Sequence, residues 1–433
     1  MDKNKSFAND FIAEMRQTDL DDRLPENECL VPYAGAKQAL IKLLFIKAMM
    51  SPGIIETIDQ NDLVTLWNFT RMVACAGGGY KEDVLEKALT TIKKNYNLQK
   101  NILEIDLLQN IMQNHWFILN QNFADGSSDD FSSDEYASSI ADLISRPQSS
   151  RDSANTYQYY TNESLQHLAA RILNVKNTET FMDCCCGMFS SALYNDAANY
   201  IGVEQDKEMA GIAAMILIMA KKKFNIKLEN FVESNDENVA DKILADIPCG
   251  AGMPQMENRP YSKNTEAYCI ENVVKALKDG GTAVVACLGS ILGKQDSSKK
   301  LREAITRNHL KAVIALPPMS NGTKSNTNLI VLQKNCHAEE IKFINASNLE
   351  IKNKNRLTLD EADISDIIGC LNGEETKSLF KDIPVEEILN SDSISWTPNN
   401  YVKGEEKSKG RAVEEIDKDL KESYKELKEL FLD

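Results

Sequence analysis

The sequence predicts an α/β fold: a parallel sheet with helices between its strands, a helical N-terminal domain before it and a C-terminal helix after it. Three observations carry the prediction. From about residue 156, short apolar segments ending in polar or glycine residues alternate with amphipathic stretches. Residues 1–124 show helical apolar spacing and little strand-like alternation. The end of the chain, "RAVEEIDKDLKESYKELKELFLD" (411–433), lines Val413, Ile416, Leu420, Tyr424 and Leu427 along one face and charges along the others.

In chain order, "AKQALIKLLFIKAMM" (36–50) and "KEDVLEKALTTIKKNY" (81–96) read as helices, with "CAGGGY" (75–80) as a break between them. Residues 125–155, rich in Ser and Asp, read as a linker or mobile loop. Strands are expected at "ETFMD" (179–183), "YIGVE" (200–204), "ADKILAD" (240–246), "TAVVACL" (282–288), "KAVIAL" (311–316) and "NLIVLQ" (328–333). Helices are expected at 207–223 and at 266–281, the second closed by lysines and glycines. These elements divide the chain into 1–124, 125–155, a core at 156–348, an extension at 349–402 and a charged amphipathic helix at 403–433. The apolar stripe of that last helix asks for a partner, on its own domain or on another molecule.

Composition narrows the function. The chain has 433 residues, 42% hydrophobic and 26% charged, as in an ordinary globular protein. The N-terminal residues show no apolar core of a signal peptide, and the longest apolar run, Ala210 to Ala220, is too short to span a bilayer. A cytoplasmic location and no membrane contact are the expectation. Ten cysteines in such a chain point to reduced thiols rather than a disulfide framework. The triplet Cys184–Cys186 has no second cysteine pair, and neither His167 nor His309 stands at zinc-ligand spacing, so no metal site is expected. The formal charge of −16 disfavours an independent grip on a phosphate backbone. "AKKKF" (220–224) is too short to reverse that and reads as a solvated helix end.

In an open α/β sheet, ligands bind beyond the carboxyl ends of the strands. Four stretches converge on that edge. "FMDCCCGMFSSAL" (181–193) closes the first strand with Asp183 and turns through small residues towards a helix, with Gly187 free to take positive φ. "IGVEQD" closes the second strand with Glu204, where a carboxylate can accept from ribose hydroxyls. "LADIPCG" (244–250) ends the fourth strand. "YQYYTNESLQHLAARIL" (157–173) offers Thr161 and Asn162 as helix caps and an apolar face of Leu165, Leu168, Ala169 and Leu173.

In this order the stretches resemble the methylation subunit of type I restriction–modification systems, the N6-adenine DNA methyltransferases. "YYTNESLQHLAARIL" is similar to the family's Phe-Tyr-Thr-Pro stretch, and "DCCCGMFSSAL" to its Asp-Pro-Ala-Cys-Gly-Ser-Gly-Gly-Phe-Leu loop. "GVEQD" resembles its acidic strand end, and "ADIPCG" stands in place of Ala-Asn-Pro-Pro-Phe-Gly. "VVKALKDGGTAVVACLGSILG", "LREAITRNHLKAVIALPPMSNGTKSNTNLIVLQKN" and "SISWTPNNYV" (393–402) extend the likeness over nearly the whole chain.

The resemblance implies a class I, Rossmann-like methyltransferase domain using S-adenosylmethionine (SAM). It implies methyl transfer to the amino group of a flipped-out adenine. Asp183, Cys186 and Gly187 would hold the methionine end of the cofactor and Glu204 its ribose, with Tyr160 and Thr161 lining the site. Asp246, Pro248 and Cys249 would form the catalytic turn, with Asp246 and the carbonyl of Ile247 or Pro248 accepting from the adenine amine. It further implies DNA contact through a specificity subunit, with or without a restriction subunit, in a hetero-oligomer.

The sequence departs from the family pattern at both central motifs. Cys249 takes the aromatic position and Ile247 that of the first proline, while Phe189 and Ser190 replace two glycines of the cofactor loop. A phenyl ring at 189 is expected to block the cofactor's path or to force a different turn. The competing reading is therefore an inactive methyltransferase-like scaffold subunit of a DNA-modification or defence complex.

Overall fold

The computed structural model describes residues 36–50, 55, 82–108, 134, 136–138, 140–141, 161–247, 265–295, 298–319, 325–349 and 358–402. Two N-terminal helices, α1 (Ala36–Met50) and α2 (Glu82–Asn95), precede the sheet. Then follow α3 (Glu163–Leu173), β1 (Thr180–Asp183), β2 (Asn199–Glu204), α4 (Lys207–Met219), β3 (Phe224–Leu228) and β4 (Ala240–Asp246). The chain continues with α5 (Thr265–Ala276), β5 (Leu277–Cys287), α6 (Ser298–Asn308), β6 (Leu310–Ala315), β7 (Asn328–Gln333), β8 (Glu340–Asn345), α7 (Glu361–Asn372) and β9 (Leu379–Pro384).

Among the described residues nine strands form one sheet in the order β3-β2-β1-β4-β5-β7-β6-β8-β9. β1 to β5 run parallel, β7 is antiparallel to both β5 and β6, and β6 and β8 are again parallel. The order reverses between β1 and β4, because the chain leaves β1 towards β2 and β3 and returns on the other side. That reversal opens a crevice at the carboxyl edge, where α/β sheets take their ligands.

Each face of the sheet has its own core. On one face Phe181, Tyr200, Leu244, Val284 and Ile314 pack under α1, α3, α4 and α7. On the other, Met182, Ile243, Val285, Val313 and Phe343 pack with α5, α6 and Trp396. The alternation of 181 with 182, 243 with 244 and 284 with 285 between the two cores is the period of two of a strand covered on both sides. α4 is buried over Met209–Met219, which explains the continuous apolar run in its sequence. Among the described residues no helix is long and apolar enough to cross a membrane.

Several elements differ from the sequence expectation. The helix read over 266–281 stops at Ala276; Leu277 already pairs with Ala240, and the Gly281 carbonyl accepts from the Lys334 N–H. The lysine and glycines there bend a strand rather than close a helix. The turn after β1 leads only to a 3₁₀ segment, Ser190–Tyr194, since the crossover to Asn199 is too short for several α-helical turns. Within the stretch read as a linker, the described positions 134, 136–138, 140 and 141 are helical, and Tyr136 and Ile140, four apart on one face, are buried. The helix read over 403–433 lies outside the described residues.

The extension after the core joins the same sheet. β9 pairs with β8, and α7 packs on α3, where Leu359 and Ser164 exchange hydrogen bonds through the Ser164 hydroxyl. The segment Ser391–Val402 docks beside α6: the Trp396 indole donates to the Thr306 hydroxyl, and its backbone N–H to the Leu292 carbonyl.

Candidate functional site

Parallel pairing sets the three acidic strand ends side by side. Asp183 of β1 is level with Gly202 of β2 and with Leu244 of β4. Glu204 and Asp246 lie two residues further along their strands, so all three carboxyls share one face at the crevice. Each is held by a neighbour. Asp183 accepts from the Ser191 hydroxyl and from the Cys185 N–H. Glu204 accepts from the Gly187 N–H (2.9 Å) and the Asp206 N–H (2.7 Å), which fastens the cofactor-loop glycine to the end of β2. Asp246 is hydrogen-bonded by the Thr161 side chain.

Burial dominates their electrostatics. Desolvation, with smaller contributions from Asp246 and Glu204, pushes Asp183 from 3.8 to about 7 against the hydrogen bonds from Ser191 and Cys185. Desolvation also raises Glu204 and Asp246 from their ordinary values. Among the described residues none of the three forms a salt bridge. The same burial keeps the three thiols protonated: Cys184, Cys185 and Cys186 are all raised well above a free cysteine, first by desolvation and then by the surrounding acids. Such thiols lack the thiolate character of redox or nucleophilic cysteines. Cys184 and Cys186 are buried fillers of the turn, with their N–H groups donating to Leu244 and Val203. Among the described residues no group of three His, Cys, Asp or Glu is arranged to hold a metal ion.

The two altered motifs are accommodated in ways that the sequence alone did not show. Phe189 does adopt the left-handed conformation a glycine would take, at φ 56 and ψ 37. Its ring, however, is fully buried beneath the loop, tilted against Phe181 (6.2 Å) and edge-on to Tyr200 (6.3 Å). Gly202 makes the room: a Cβ there would stand 2.9 Å from the phenyl ring and 3.0 Å from the Cys186 sulfur. The expected blockage of the cofactor's path is therefore corrected, because the ring turns into the core. Above the loop, Gly187 at φ 51 has nothing among the described residues within 4 Å of its Cβ position. Ile247, in place of proline, donates its N–H to the Ala286 carbonyl and prolongs the β4–β5 pairing, a bond proline cannot make.

Asn162 caps α3 as expected, accepting from the N–H groups of Ser164 and Leu165. Leu165, Leu168, Ala169 and Leu173 form its buried face. Sequence reasoning missed Ser191, which meets Asp183, and Gln166, whose amide reaches both the Thr161 carbonyl and Ser190. A glutamine inside the apolar face of a helix is the signal that could have found the second. Of the residues expected at the site, the structure brings together Thr161, Asp183, Cys186, Gly187, Glu204 and Asp246. Tyr160, Pro248 and Cys249 lie outside the described residues.

The arrangement suits an extended cation with polar ends. One buried and two half-buried carboxyls, with no cationic partner among the described residues, favour a net positive ligand, and SAM, with its sulfonium and ammonium against one carboxylate, is of that kind. The open backbone at Gly187 and the withdrawn Phe189 ring leave the loop approachable. The residues present therefore fit this cofactor.

Comparison with known proteins bears on the same residues. The family model described as N-6 DNA Methylase matches residues 143–410, more than half of the chain. The type I restriction enzyme MpnII methylase subunit of Mycoplasma pneumoniae (strain ATCC 29342 / M129 / Subtype 1) is 25% identical over 174 residues, 40% of this chain. That alignment spans 32% of the relative, so the chain matches about a third of its length. Among solved structures, the type I restriction-modification system methyltransferase subunit from Streptococcus thermophilus superposes with a TM-score of 0.66 at 16% identity, over 92% of this chain and 99% of that one. A chain from a structure describing assembly and conformational transition of the type I R-M system gives a TM-score of 0.61 at 15% identity, over 99% and 97%. At these identities the likenesses establish the fold.

Proposed function

Because the chain belongs to the N-6 DNA methylase family, we propose that it is the methyltransferase subunit of a type I-like restriction–modification complex, transferring methyl from SAM to the N6 amine of adenine flipped out of DNA. The observation that carries the proposal is the meeting of Asp183, Glu204 and Asp246 on one face of the sheet's crevice, beside an open glycine turn.

SAM, when bound, supplies an electrophilic methyl group. The chain's own residues do the rest. Glu204 would accept from the ribose hydroxyls with the lone pairs left by the N–H groups of Gly187, Gln205 and Asp206, and Asp183 and Gly187 would hold the methionine end. Adenine's amino lone pair is delocalised into the ring and attacks poorly. Asp246 accepts a hydrogen bond from the amine and so restores electron density to the nitrogen. Its proton affinity, raised by burial, lets the same carboxylate take up the proton that the amine sheds. The carbonyl of Ile247 or Pro248 would be the second acceptor, and Cys249 stands where the family carries a stacking aromatic.

The acidic charge of the chain, −16, fits a subunit that docks on a basic, DNA-reading partner. The scaffold reading leaned on Phe189 and Cys249, and the burial of the Phe189 ring against Gly202 removes the first of these. The test is incorporation of N6-methyladenine into DNA by the complex isolated with this chain, read by mass spectrometry. The expected result is product with the wild type, and loss of product with SAM binding retained for Asp246→Ala. Absence of N6-methyladenine from a SAM-binding wild-type complex overturns the proposal.

A further inference from the structure

Gln166 occupies the second turn of α3, on its buried side, 2% exposed. Its Nε2 donates in two directions: to the Thr161 carbonyl at 2.9 Å and to the Ser190 hydroxyl oxygen at 2.8 Å. The Thr161 carbonyl can only accept, so the amide orientation is fixed by chemistry. The consequence is that Oε1 is buried with no partner among the described residues. A buried acceptor left unpaired weakens the fold, and an apolar side chain of the same size would avoid that. The position is one where the sequence keeps a polar group at a cost to stability.

What the fork joins is informative. Thr161 contacts the Asp246 carboxyl through its side chain. Ser190 follows Phe189 in the cofactor turn and precedes Ser191, which bonds Asp183. One side chain therefore links the turn after β1 to the residue that meets the end of β4, across 24 residues of sequence. We propose that Gln166 is a positioning residue that holds the cofactor turn and the Thr161–Asp246 pair in one geometry, so that the two halves of the site are set together. This inference rests on the methyltransferase reading above.

The experiment is calorimetric titration of SAM into the full chain as wild type, Gln166→Met, Ser190→Ala and the double variant, with melting temperatures as the control for folding. Methionine matches glutamine in size and removes both the fork and the unpaired acceptor. The expected result for Gln166→Met is an unchanged or higher melting temperature with SAM affinity weakened on the order of tenfold, the size of one lost link. Ser190→Ala, at the half-exposed end, weakens SAM without disturbing the buried position, and the double variant is no weaker than Gln166→Met, because both cut the same link. In methyl transfer, Gln166→Met lowers kcat and leaves the KM for DNA in place. Wild-type affinity in Gln166→Met, or effects of the two substitutions that simply multiply, overturns the inference while the proposed function stands. A wild-type chain that takes up no SAM overturns the proposed function, and this inference with it.

Discussion

Replacing Phe189 separates a packing role from an obstructing one. The ring is fully buried, lies about 6 Å from both Phe181 and Tyr200 by centroid (6.2 and 6.3 Å), and fills the space that Gly202 leaves open. Truncating a buried phenylalanine to alanine costs about 3–5 kcal/mol through lost burial and the cavity left behind. Phe189→Gly leaves the same cavity but relieves the left-handed backbone (φ 56), worth roughly 1–2 kcal/mol. Glycine returns up to about 1 kcal/mol of that through the freedom it adds to the unfolded chain. The two variants should therefore lie within about 2 kcal/mol of each other and both about 1–5 kcal/mol below the wild type. Urea unfolding of the three proteins gives the differences, and SAM titration of each gives the affinities. Neither variant is expected to bind SAM more tightly. Wild-type stability in Phe189→Gly together with tighter SAM binding would refute the reasoning, since it would put the ring in the cofactor's path.

Other outcomes follow from the same structure. Asp183 titrates at about 7 in the folded chain against 3.8 ordinarily, so the folded state holds that proton more tightly than the unfolded state. The stability this confers is complete below the ordinary value and is lost as pH rises through about 7. Binding of a cation favours the ionised form, so SAM affinity should rise with pH through the same window, by on the order of tenfold per unit below it, with uptake of SAM releasing a proton; Asp183→Asn should flatten both dependences, and a pH-independent wild type would contradict the account. Arg302 is a fully buried guanidinium that donates to the carbonyls of Ile291, Lys294, Ser393 and Ile394 and to the Ser298 hydroxyl. Arg302→Met leaves those carbonyls unpaired and should cost about 3–5 kcal/mol, with a red-shifted Trp396 emission as the Ser391–Val402 segment loosens; unchanged stability would show that the segment is held elsewhere.

The fold was largely legible because strands covered on both faces write themselves as apolar runs. β4 and β7 have the bounds that their sequences suggest. β3 and β9 were missed because they carry few buried residues: only Ile226 in the first and Ile383 in the second are buried. β8, "EIKFIN", was passed over although Ile341, Phe343 and Ile344 are buried. The first five residues of β5, "LKDGG", imitate a helix terminus, and only pairing with Ala240 and Lys334 from distant parts of the chain makes them a strand. At the site, acidic residues at strand ends are a local signal, and Asp183, Glu204 and Asp246 could be read one by one. The fate of Phe189 could not, because it depends on the absence of a side chain at Gly202 in the neighbouring strand. Gln166 belongs to the same class: its partners are set by the way α3 packs over the turn, not by its sequence neighbours.

The central claim, that this sheet edge is a working cofactor site, is tested most directly by titrating SAM into the purified chain beside its Glu204→Ala variant. The account predicts saturable binding to the wild type and its loss in the variant, since Glu204 holds Gly187 and is the acceptor proposed for the ribose. Equal binding by the two proteins, or none by the wild type alone and in complex with its partner, would contradict it.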